Sequence, residues 1–472
     1  MSSELDRIYA TLAPEEIILP DSPDYLKESK TWAVQRNLKP KLVARPKSLE
    51  SLCKLVAALN RTTLDVCVRS QGYGSSSAKD VLINMTAFDS FEYSIEQKSI
   101  TIGAGQNWSR VDENIDKHCP GYATLSTRSG FLGVAGTIVY GGLSWASSER
   151  GTAARPENLL DAQIVKADGT AVWASTDPDL FWCIRGGGHS FGIVTAVKVR
   201  IFKYPKSIFT GRLVYPRTSL QHIAREVATF TRNVSDPRLC LHLYCMTVEE
   251  FKAEEPPEEM KIGSQKDNWS RGMDSGQISL WVYDAHGEQH ARSVKGFQWA
   301  FEIPGAIDKT MNLPFTEVNK LANPLIAASG VTDSWMSAPL ISEISEEVIF
   351  RAWEWFEETV AANPAAKKAP LGPAIHTDTP RTDCAWPHTR AQHVLQLGVA
   401  APIGDVDTGK SVLQALEEAP KRIWPAHQPS DYLPNFIQHF NDVSAIYGPN
   451  FKKLQEMKIK YDPNGTFGGP FM

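Results

Sequence analysis

The sequence lacks the features that mark several broad classes of protein. It has no apolar run close to the ~20 residues that a membrane-spanning helix needs. It has no basic excess, because 49 lysines and arginines stand against 54 aspartates and glutamates, for a net charge of −5. Its seven cysteines are scattered and odd in number, which argues against a disulfide scaffold. We therefore expect no membrane partner and no nucleic-acid partner.

What the chain does contain is typical of a globular enzyme. Its 472 residues are 42% hydrophobic and 22% charged, which predicts a folded chain rather than a disordered one. The first residues include acidic side chains and no apolar stretch of the kind found in secretory signals. We expect a cytoplasmic protein of two or three units, at about 150 residues per domain.

The pattern of apolar runs, turns and charged stretches changes near residue 205 and again near residue 420. Residues 1–205 alternate short β-branched runs with turns and helical stretches, and the strand at 194–201 alternates as if half exposed. Residues 206–420 contain longer strand-like runs and an acidic stretch, 249–259, that predicts a surface loop. We expect a first domain over 1–205, a substrate-binding domain over 206–420, and a return of 421–472 to the first domain.

Three glycine-rich segments place backbone where side chains would obstruct a ligand. The first segment (68–77) follows a buried strand, and its exposed N–H groups suit an anionic diphosphate, although a surface turn is the alternative. The second segment (130–142) predicts backbone packed on something flat, or a close helix–sheet contact. The third segment (185–194) has three glycines before a strand. None of the three segments matches the phosphate-binding GxxxxGK[ST] loop or the dinucleotide-binding GxGxxG motif. The order and spacing of the three segments together therefore indicate a function more strongly than any one segment does.

That order resembles the flavin-binding domain of the vanillyl-alcohol oxidase / p-cresol methylhydroxylase superfamily, and within it the berberine-bridge-enzyme-like oxidases. The similarity covers residues 30–205 and 425–472, and reaches the middle of the chain only through 385–390. The motifs that carry it are Arg45 to Glu50, Val68 to Gly74, Leu132 to Gly136, Asp177 to Gly188, Phe191 to Thr195, and Lys460 to Phe467.

The resemblance implies an α+β fold. A two-part, PCMH-type FAD-binding domain would be formed by both chain ends, with an inserted domain whose antiparallel sheet is covered by helices. It also implies FAD as cofactor, a small-molecule substrate and O₂ as oxidant. The cofactor-binding residues carried over are Arg69, Ser70, Gln71, Gly72, Tyr73, Gly74 and Ser75 for the diphosphate, Ser129, Gly133, Val134, Gly136 and Gly141 along the flavin and ribityl chain, Gly192, Ile193 and Val194 on the adenosine side, and Asn464 near the ring.

The chain departs from its relatives where many of them attach FAD covalently. They use a histidine in the first segment and sometimes a cysteine in the second. Tyr73 stands at the histidine position and Ser129 at or near the cysteine position, so we expect non-covalent FAD. His189 stands in a similar Gly-Gly-His-Ser word, but in the third segment, so we do not expect a covalent bond there.

The general base is less well defined by the sequence. Relatives often carry it on the strand that matches 393–399, where His393 is the only residue able to take a proton near neutral pH. A lone histidine on such a strand is more often structural. Tyr73, His388 and His439 are the rival candidates, and no metal site is predicted.

Three functions fit this sequence. The first is an FAD-dependent oxidoreductase, an oxidase of specialised metabolism, that takes a hydride from an apolar small molecule and is reoxidised by O₂. The second is a cyclase or isomerase that retains FAD without net redox change. The third is a flavin-binding or ligand-binding protein without catalysis. The sequence leaves the substrate, the product and the oligomeric state open.

Overall fold

The computed structural model describes residues 4–246, 277–368, 374–379, 382–388 and 392–472. The predicted surface loop at 249–259 lies outside the described residues. Within the described ranges, none of the helices combines the length and apolarity that crossing a membrane requires.

A four-stranded sheet forms first, in the order β1-β2-β4-β3, with β2, β4 and β3 parallel. Helix α3 begins after Ser48, whose hydroxyl accepts a hydrogen bond from the Ser51 N–H at 3.1 Å. Its apolar face packs on this sheet. The elements are β1 (Ile17–Ile18), β2 (Leu42–Ala44), β3 (Val66–Arg69) and β4 (Val81–Asn84), with α1 (Glu4–Tyr9), α2 (Tyr25–Ser29) and α3 (Leu49–Leu59).

A six-stranded antiparallel sheet follows, in the order β5-β6-β10-β8-β9 with β7 also on β10. The prediction of a half-exposed strand at 194–201 holds only for its second half: residues 193–197 are all buried, whereas residues 198–201 alternate between partly exposed and buried side chains. The reason is that β10 is the central strand, paired on both edges and packed against helices. The elements are β5 (Phe91–Ser94), β6 (Ser99–Gly103), β7 (Tyr122–Thr124), β8 (Leu159–Val165), β9 (Ala171–Trp173) and β10 (Ile193–Lys203), with α4 (Trp108–His118), α5 (Val134–Val139), α6 (Ser147–Arg150) and α7 (Pro178–Ile184).

The middle of the chain forms an eight-stranded antiparallel sheet, in the order β14-β11-β13-β12-β17-β20-β15 with β16 on β20. One of its faces is covered by α8, α12 and α13. The strands are β11 (Ile208–Pro216), β12 (Leu239–Met246), β13 (Gln277–Asp284), β14 (Ile307–Leu313), β15 (Asp333–Ser337), β16 (Leu340–Ile341), β17 (Ala374–Thr379) and β20 (Gln392–Ala401), and β18 (Thr382–Asp383) and β19 (Pro387–His388) form a hairpin. The helices are α8 (Leu220–Asn233), α9 (Glu288–Ala291), α10 (Gln298–Glu302), α11 (Phe315–Val318), α12 (Glu346–Ala362) and α13 (Val406–Ile423).

The C-terminal tail packs against the third glycine-rich segment. The tail contains α14 (Val443–Tyr447) and α15 (Phe451–Tyr461). The buried Lys458 ammonium donates to the Ser190 carbonyl at 3.0 Å and pairs with Asp462 at 2.6 Å. The mixed architecture, with a helix-covered antiparallel sheet, confirms the predicted α+β fold class. The limits near 205 and 420 stay predictions.

Candidate functional site

Helix α5 brings the three glycine-rich segments together. Gly133, at its start, lies against the first segment so closely that an added Cβ would stand 2.7 Å from the Ser70 Oγ. At its other end, the carbonyl of Val139 accepts hydrogen bonds from the N–H groups of Gly186 and Gly188, both at 3.0 Å. Segments that are far apart in sequence therefore border one short helix.

The first segment has the backbone geometry of an anion-binding turn. Gly72 (φ 82°) and Ser75 (φ 57°) are both left-handed, and the Ser75 N–H donates to the Gly72 carbonyl at 3.0 Å. Turns with such alternating conformations direct successive N–H groups toward one point. The side chains of Ser70 and Gln71 instead donate to carbonyls that follow β6, which anchors the segment to the second sheet.

A buried cation lies beneath this turn. The guanidinium of Arg69 donates to the Glu28 carbonyl at 2.6 Å, and its Nε is buried without a partner. Burial lowers the pKa of Arg69 and the charge of Glu28 raises it, yet an arginine stays charged at neutral pH. An added Cβ at Gly72 would stand 2.5 Å from that Nε. The positive charge of Arg69 therefore lies directly against backbone that carries no side chain.

Two glycines face open space rather than protein. A Cβ added at Gly74 or at Gly136 would meet nothing within 4 Å. Gly136 is exposed although Val134 and Ile138 of the same helix are fully buried. The face of α5 that carries Gly136 is therefore bare backbone open to solvent, and we call the space between it and the first segment the cleft.

A tyrosine–histidine pair joins the second and third segments. The Tyr140 hydroxyl and the His189 Nδ1 lie 2.5 Å apart. Burial lowers the pKa of His189, and the charge of Lys458 lowers it further, while burial raises the pKa of Tyr140. At neutral pH the phenol therefore donates to a neutral imidazole, whose proton sits on Nε2. The ring is accessible to solvent although protein surrounds it, as at the wall of a cleft.

The eight-stranded sheet turns its other face toward these segments. Cross-strand pairing places Arg212, Trp281 and His242 in one row. We call this side of the sheet the polar face; its further members are Cys240, Tyr244 and Tyr283. Trp145, between α5 and α6, stacks on the fully buried His242 with ring centroids 4.2 Å apart and planes at 18°.

A charged side chain near the second segment also lies close to the polar face. Burial raises the pKa of Tyr244 to about 12, and the nearby charge of Arg128, just before the second segment, opposes this rise. The Tyr244 hydroxyl also lies 3.5 Å from the His242 Nδ1. The space beside the second segment is therefore bordered by aromatic rings and a hydroxyl group.

Comparisons with known proteins agree with this geometry. Residues 40–175 match a family model described as an FAD binding domain. The chain is 29% identical over 237 residues to the FAD-dependent monooxygenase prx3 of Penicillium roqueforti, covering 48% of this chain and 44% of that protein. It is 29% identical over 473 residues to the FAD-dependent monooxygenase tpcD of Cochliobolus heterostrophus, covering 92% and 85%. The chain thus spans less than half the length of the first of these relatives.

A solved structure with the same fold is that of BBE-like 1 from Physcomitrella patens. The TM-score is 0.80 at 16% identity, and the match covers 100% of both chains. An FAD binding domain over residues 40–175 and this fold agree with the resemblance to the vanillyl-alcohol oxidase / p-cresol methylhydroxylase superfamily. The fold of the chain is berberine-bridge-enzyme-like, and its cofactor is FAD. The cleft fits this cofactor, because open backbone, left-handed turns and the unpartnered Arg69 Nε suit an extended, anionic dinucleotide.

Several residues carried over from the superfamily are packed against protein. Val134, Ile193 and Val194 are buried core residues. The backbone of Gly192 lies against β8, and Gly141 (φ 110°) lies near the ring of Trp386. Their part in binding FAD stays a prediction.

The two positions at which many relatives attach FAD, Tyr73 and Ser129, are distant in sequence but lie in neighbouring parts of the folded structure. Tyr73 forms an aromatic cluster with Phe131 and Trp32, at ring centroid distances of 4.7 and 5.6 Å. Burial raises the pKa of Tyr73, with a smaller opposing effect of Arg69. Ser129 accepts a hydrogen bond at its carbonyl from the Thr127 hydroxyl at 2.6 Å. Whether FAD is covalently attached stays a prediction.

Asn464 is placed apart from the glycine-rich segments. Its side-chain amide donates to the Asn60 carbonyl at 3.0 Å, and Asn60 follows the end of α3. The turn that holds the diphosphate in our prediction lies at the opposite end of β3. The structure therefore places Asn464 beside the C-terminal end of α3, and its predicted position near the flavin ring stays a prediction.

The histidines suggested as bases are dispersed. His393 alternates with Leu395 and Leu397, which are buried in the helix-covered core, so it lies on the face opposite the polar face. The backbone of His388 belongs to β19, and its side chain lies outside the described residues. His439 is exposed beside Phe440. Sequence reasoning missed His242 and Tyr244, whose signal was the polar alternation within an apolar strand.

Proposed function

We propose that the chain is an FAD-dependent oxidoreductase that oxidises an apolar small molecule between the second segment and the polar face. The observation that carries the proposal is the stacking of Trp145 on His242, with the charge of Arg128 close enough to Tyr244 to oppose the rise of its pKa. It brings the wall of the FAD cleft within reach of aromatic rings and a hydroxyl group. Apolar walls with a few polar groups are typical of small-molecule sites.

Bound FAD would supply the hydride acceptor. The turn over Arg69 would hold its diphosphate, and the Nε2–H of His189 would donate to a polar atom in the cleft. Trp145 and Trp281 would line the apolar part of the substrate pocket and exclude water. These roles rest on the burial, charge and hydrogen bonds described above.

For the proton, the best-placed pair is Tyr244 and His242. With a pKa of about 12, Tyr244 is a neutral phenol at neutral pH and can donate toward the His242 Nδ1. A substrate hydroxyl or amine could then give its proton to the Tyr244 oxygen while the phenol proton passes to His242. Such a relay would replace the predicted role of His393, which faces the helix-covered core.

We propose that FAD is held without a covalent bond and that O₂ reoxidises it. The names of prx3 and tpcD, both FAD-dependent monooxygenases, favour redox chemistry over a cyclase or isomerase. Acid precipitation of the purified protein tests the first point: flavin should move wholly to the supernatant. Flavin retained in the pellet would contradict it.

Anaerobic mixing tests the redox proposal. The holoprotein is mixed with a panel of aromatic alcohols and amines, and flavin absorbance is followed. Bleaching by one of them, reversed by air, is the expected result. An isomerised product with the flavin still oxidised would instead show that the chain is a cyclase or isomerase.

The proton relay is tested with the bleaching compound. Tyr244→Phe should slow bleaching by about 10²-fold, in the range of general acid–base effects, with FAD content unchanged. His393→Ala is the matched control on the opposite face and should bleach at nearly the wild-type rate over the whole pH range. If His393→Ala slowed flavin bleaching more than Tyr244→Phe did, His393 would be the better candidate for the base.

A further inference from the structure

A histidine–aspartate cluster stands outside the flavin cleft, at one end of the eight-stranded sheet. Asp236 lies in the turn between α8 and β12, and His286 and His290 follow β13. One ligand atom from each of the three lies within 4.8 Å of the others. Among the described residues, no other group of three or more histidines, cysteines or carboxylates is placed this way.

Behind His290 stands a buried carboxylate that orients its ring. The His290 Nδ1 and the Asp284 Oδ2 are 2.7 Å apart, and the Asp284 side chain has 0% exposure. Asp284 also accepts the backbone N–H of His286 at 2.8 Å. A carboxylate on one ring nitrogen is the usual support of a metal-binding histidine, since it fixes the tautomer and leaves Nε2 for the ion.

The other two members present their ligand atoms to solvent. The His286 Nε2 lies 2.9 Å from the Asp236 Oδ2, and both side chains are about one-third exposed, at 33% and 34%. The rings of His286 and His290 are 4.5 Å apart at their centroids. An ion could therefore enter from water and meet two imidazoles and a carboxylate.

The charge of the cluster favours a cation. The Asp236 carboxylate accepts a hydrogen bond from the Arg238 N–H at 3.0 Å and lies 2.9 Å from the His286 Nε2, so it offers a negative charge beside the two imidazoles. The side chain of Arg238 bonds to Glu149 at 3.3 Å and that of Arg292 to Glu288 at 2.8 Å. These neighbouring guanidiniums are thus engaged with other carboxylates.

We propose that Asp236, His286 and His290 form a site for one divalent transition-metal ion of the Zn²⁺ class. Two imidazole nitrogens and one carboxylate oxygen suit Zn²⁺, Co²⁺ or Ni²⁺, whereas Ca²⁺ and Mg²⁺ prefer oxygen ligands alone. Water would complete the coordination. The ion would tie the turn before β12 to the turn after β13 and so stabilise the inserted sheet.

The experiment uses the untagged holoprotein, stripped with a chelator, dialysed and titrated with Co²⁺ and Zn²⁺. We expect one Co²⁺ per chain with a visible d–d spectrum, displacement by Zn²⁺, and a higher melting temperature with Zn²⁺ because the ion binds only the folded state. His286→Ala and Asp236→Asn should each weaken binding by at least about tenfold.

His222→Ala is the matched control, because His222 is an exposed histidine on α8 outside the cluster. It should bind Co²⁺ as the wild type does. Flavin absorbance verifies that each variant is folded, and Asp236→Asn retains the size of the side chain. Absence of a saturable Co²⁺ site, or equal affinity in His286→Ala, Asp236→Asn and the wild type, would overturn the proposal.

Discussion

The two walls of the proposed active site are built from different parts of the chain. The FAD cleft is a backbone surface, made by glycines of the first segment and α5. The polar face of the eight-stranded sheet is a side-chain surface, made by residues such as His242 and Tyr244. A backbone surface is lost when any side chain is added, whereas a side-chain surface can change one group at a time. The cleft should therefore be intolerant of substitution and the polar face adjustable.

The largest effect should come from adding a side chain to the backbone wall. Gly72→Val should abolish FAD retention, because its Cβ would stand 2.5 Å from the Arg69 Nε in the turn that we predict to hold the diphosphate. The measurement is the flavin-to-protein absorbance ratio after gel filtration.

Gly121→Val is the control for backbone strain alone. Its φ of 81° nearly equals the 82° of Gly72, but an added Cβ there meets nothing within 4 Å. It should cost about 1–2 kcal/mol of stability and retain FAD. Full flavin occupancy in Gly72→Val would remove the first segment from the diphosphate site.

The second-largest effect is expected where the region after α11 contacts the second segment and α4. Asn319, after α11, accepts the Gly130 N–H at its carbonyl (3.0 Å) and donates to Asp112 on α4 at 2.8 Å. The Asp112 carboxyl is buried, and burial raises its pKa from 3.8 to about 8. The inserted region thus holds the start of the second segment through a carboxyl that stays protonated in the folded state.

The pH dependence follows from this pKa. The unfolded chain loses the proton near pH 3.8 and the folded chain near pH 8, so the stability that Asp112 contributes is complete below pH 3.8 and lost as pH rises to 8. Asp112→Asn should remove this loss. The measurement is the free energy of unfolding from urea titrations. Between pH 4 and pH 8, its value for the variant relative to the wild type should increase by about 3–5 kcal/mol, at about 1.4 kcal/mol per pKa unit. Parallel pH profiles for the two proteins would show that Asp112 is ionised throughout.

The smallest effect is expected at Asn464, which lies away from the first segment. Asn464→Ala removes a hydrogen bond to Asn60, which should cost about 1 kcal/mol or less. Because Asn464 lies at the far end of β3 from the first segment, FAD occupancy should not change. Thr466 also bonds to Asn60, at 2.9 Å, and keeps the tail in place. A marked fall in occupancy would bring Asn464 back to the cofactor.

The sequence singled out the three glycine-rich segments, and the structure places all three beside α5. The sequence also predicted a strand at 194–201, which is found within β10. The burial of residues 193–197 of that strand was not predicted, because exposure depends on what packs against both faces of a strand.

What only the tertiary structure decided is the meeting of distant side chains. Trp145 and His242 stack, and Asp236 stands beside His286, although each pair is separated by dozens of residues or more. Local propensity carries no information about such contacts, since they depend on sheet order and on which face of a strand is turned to a neighbour. The sequence alone predicted glycine segments for FAD and an inserted sheet. The folded structure decided that His242 and Tyr244, rather than His393, face the second segment.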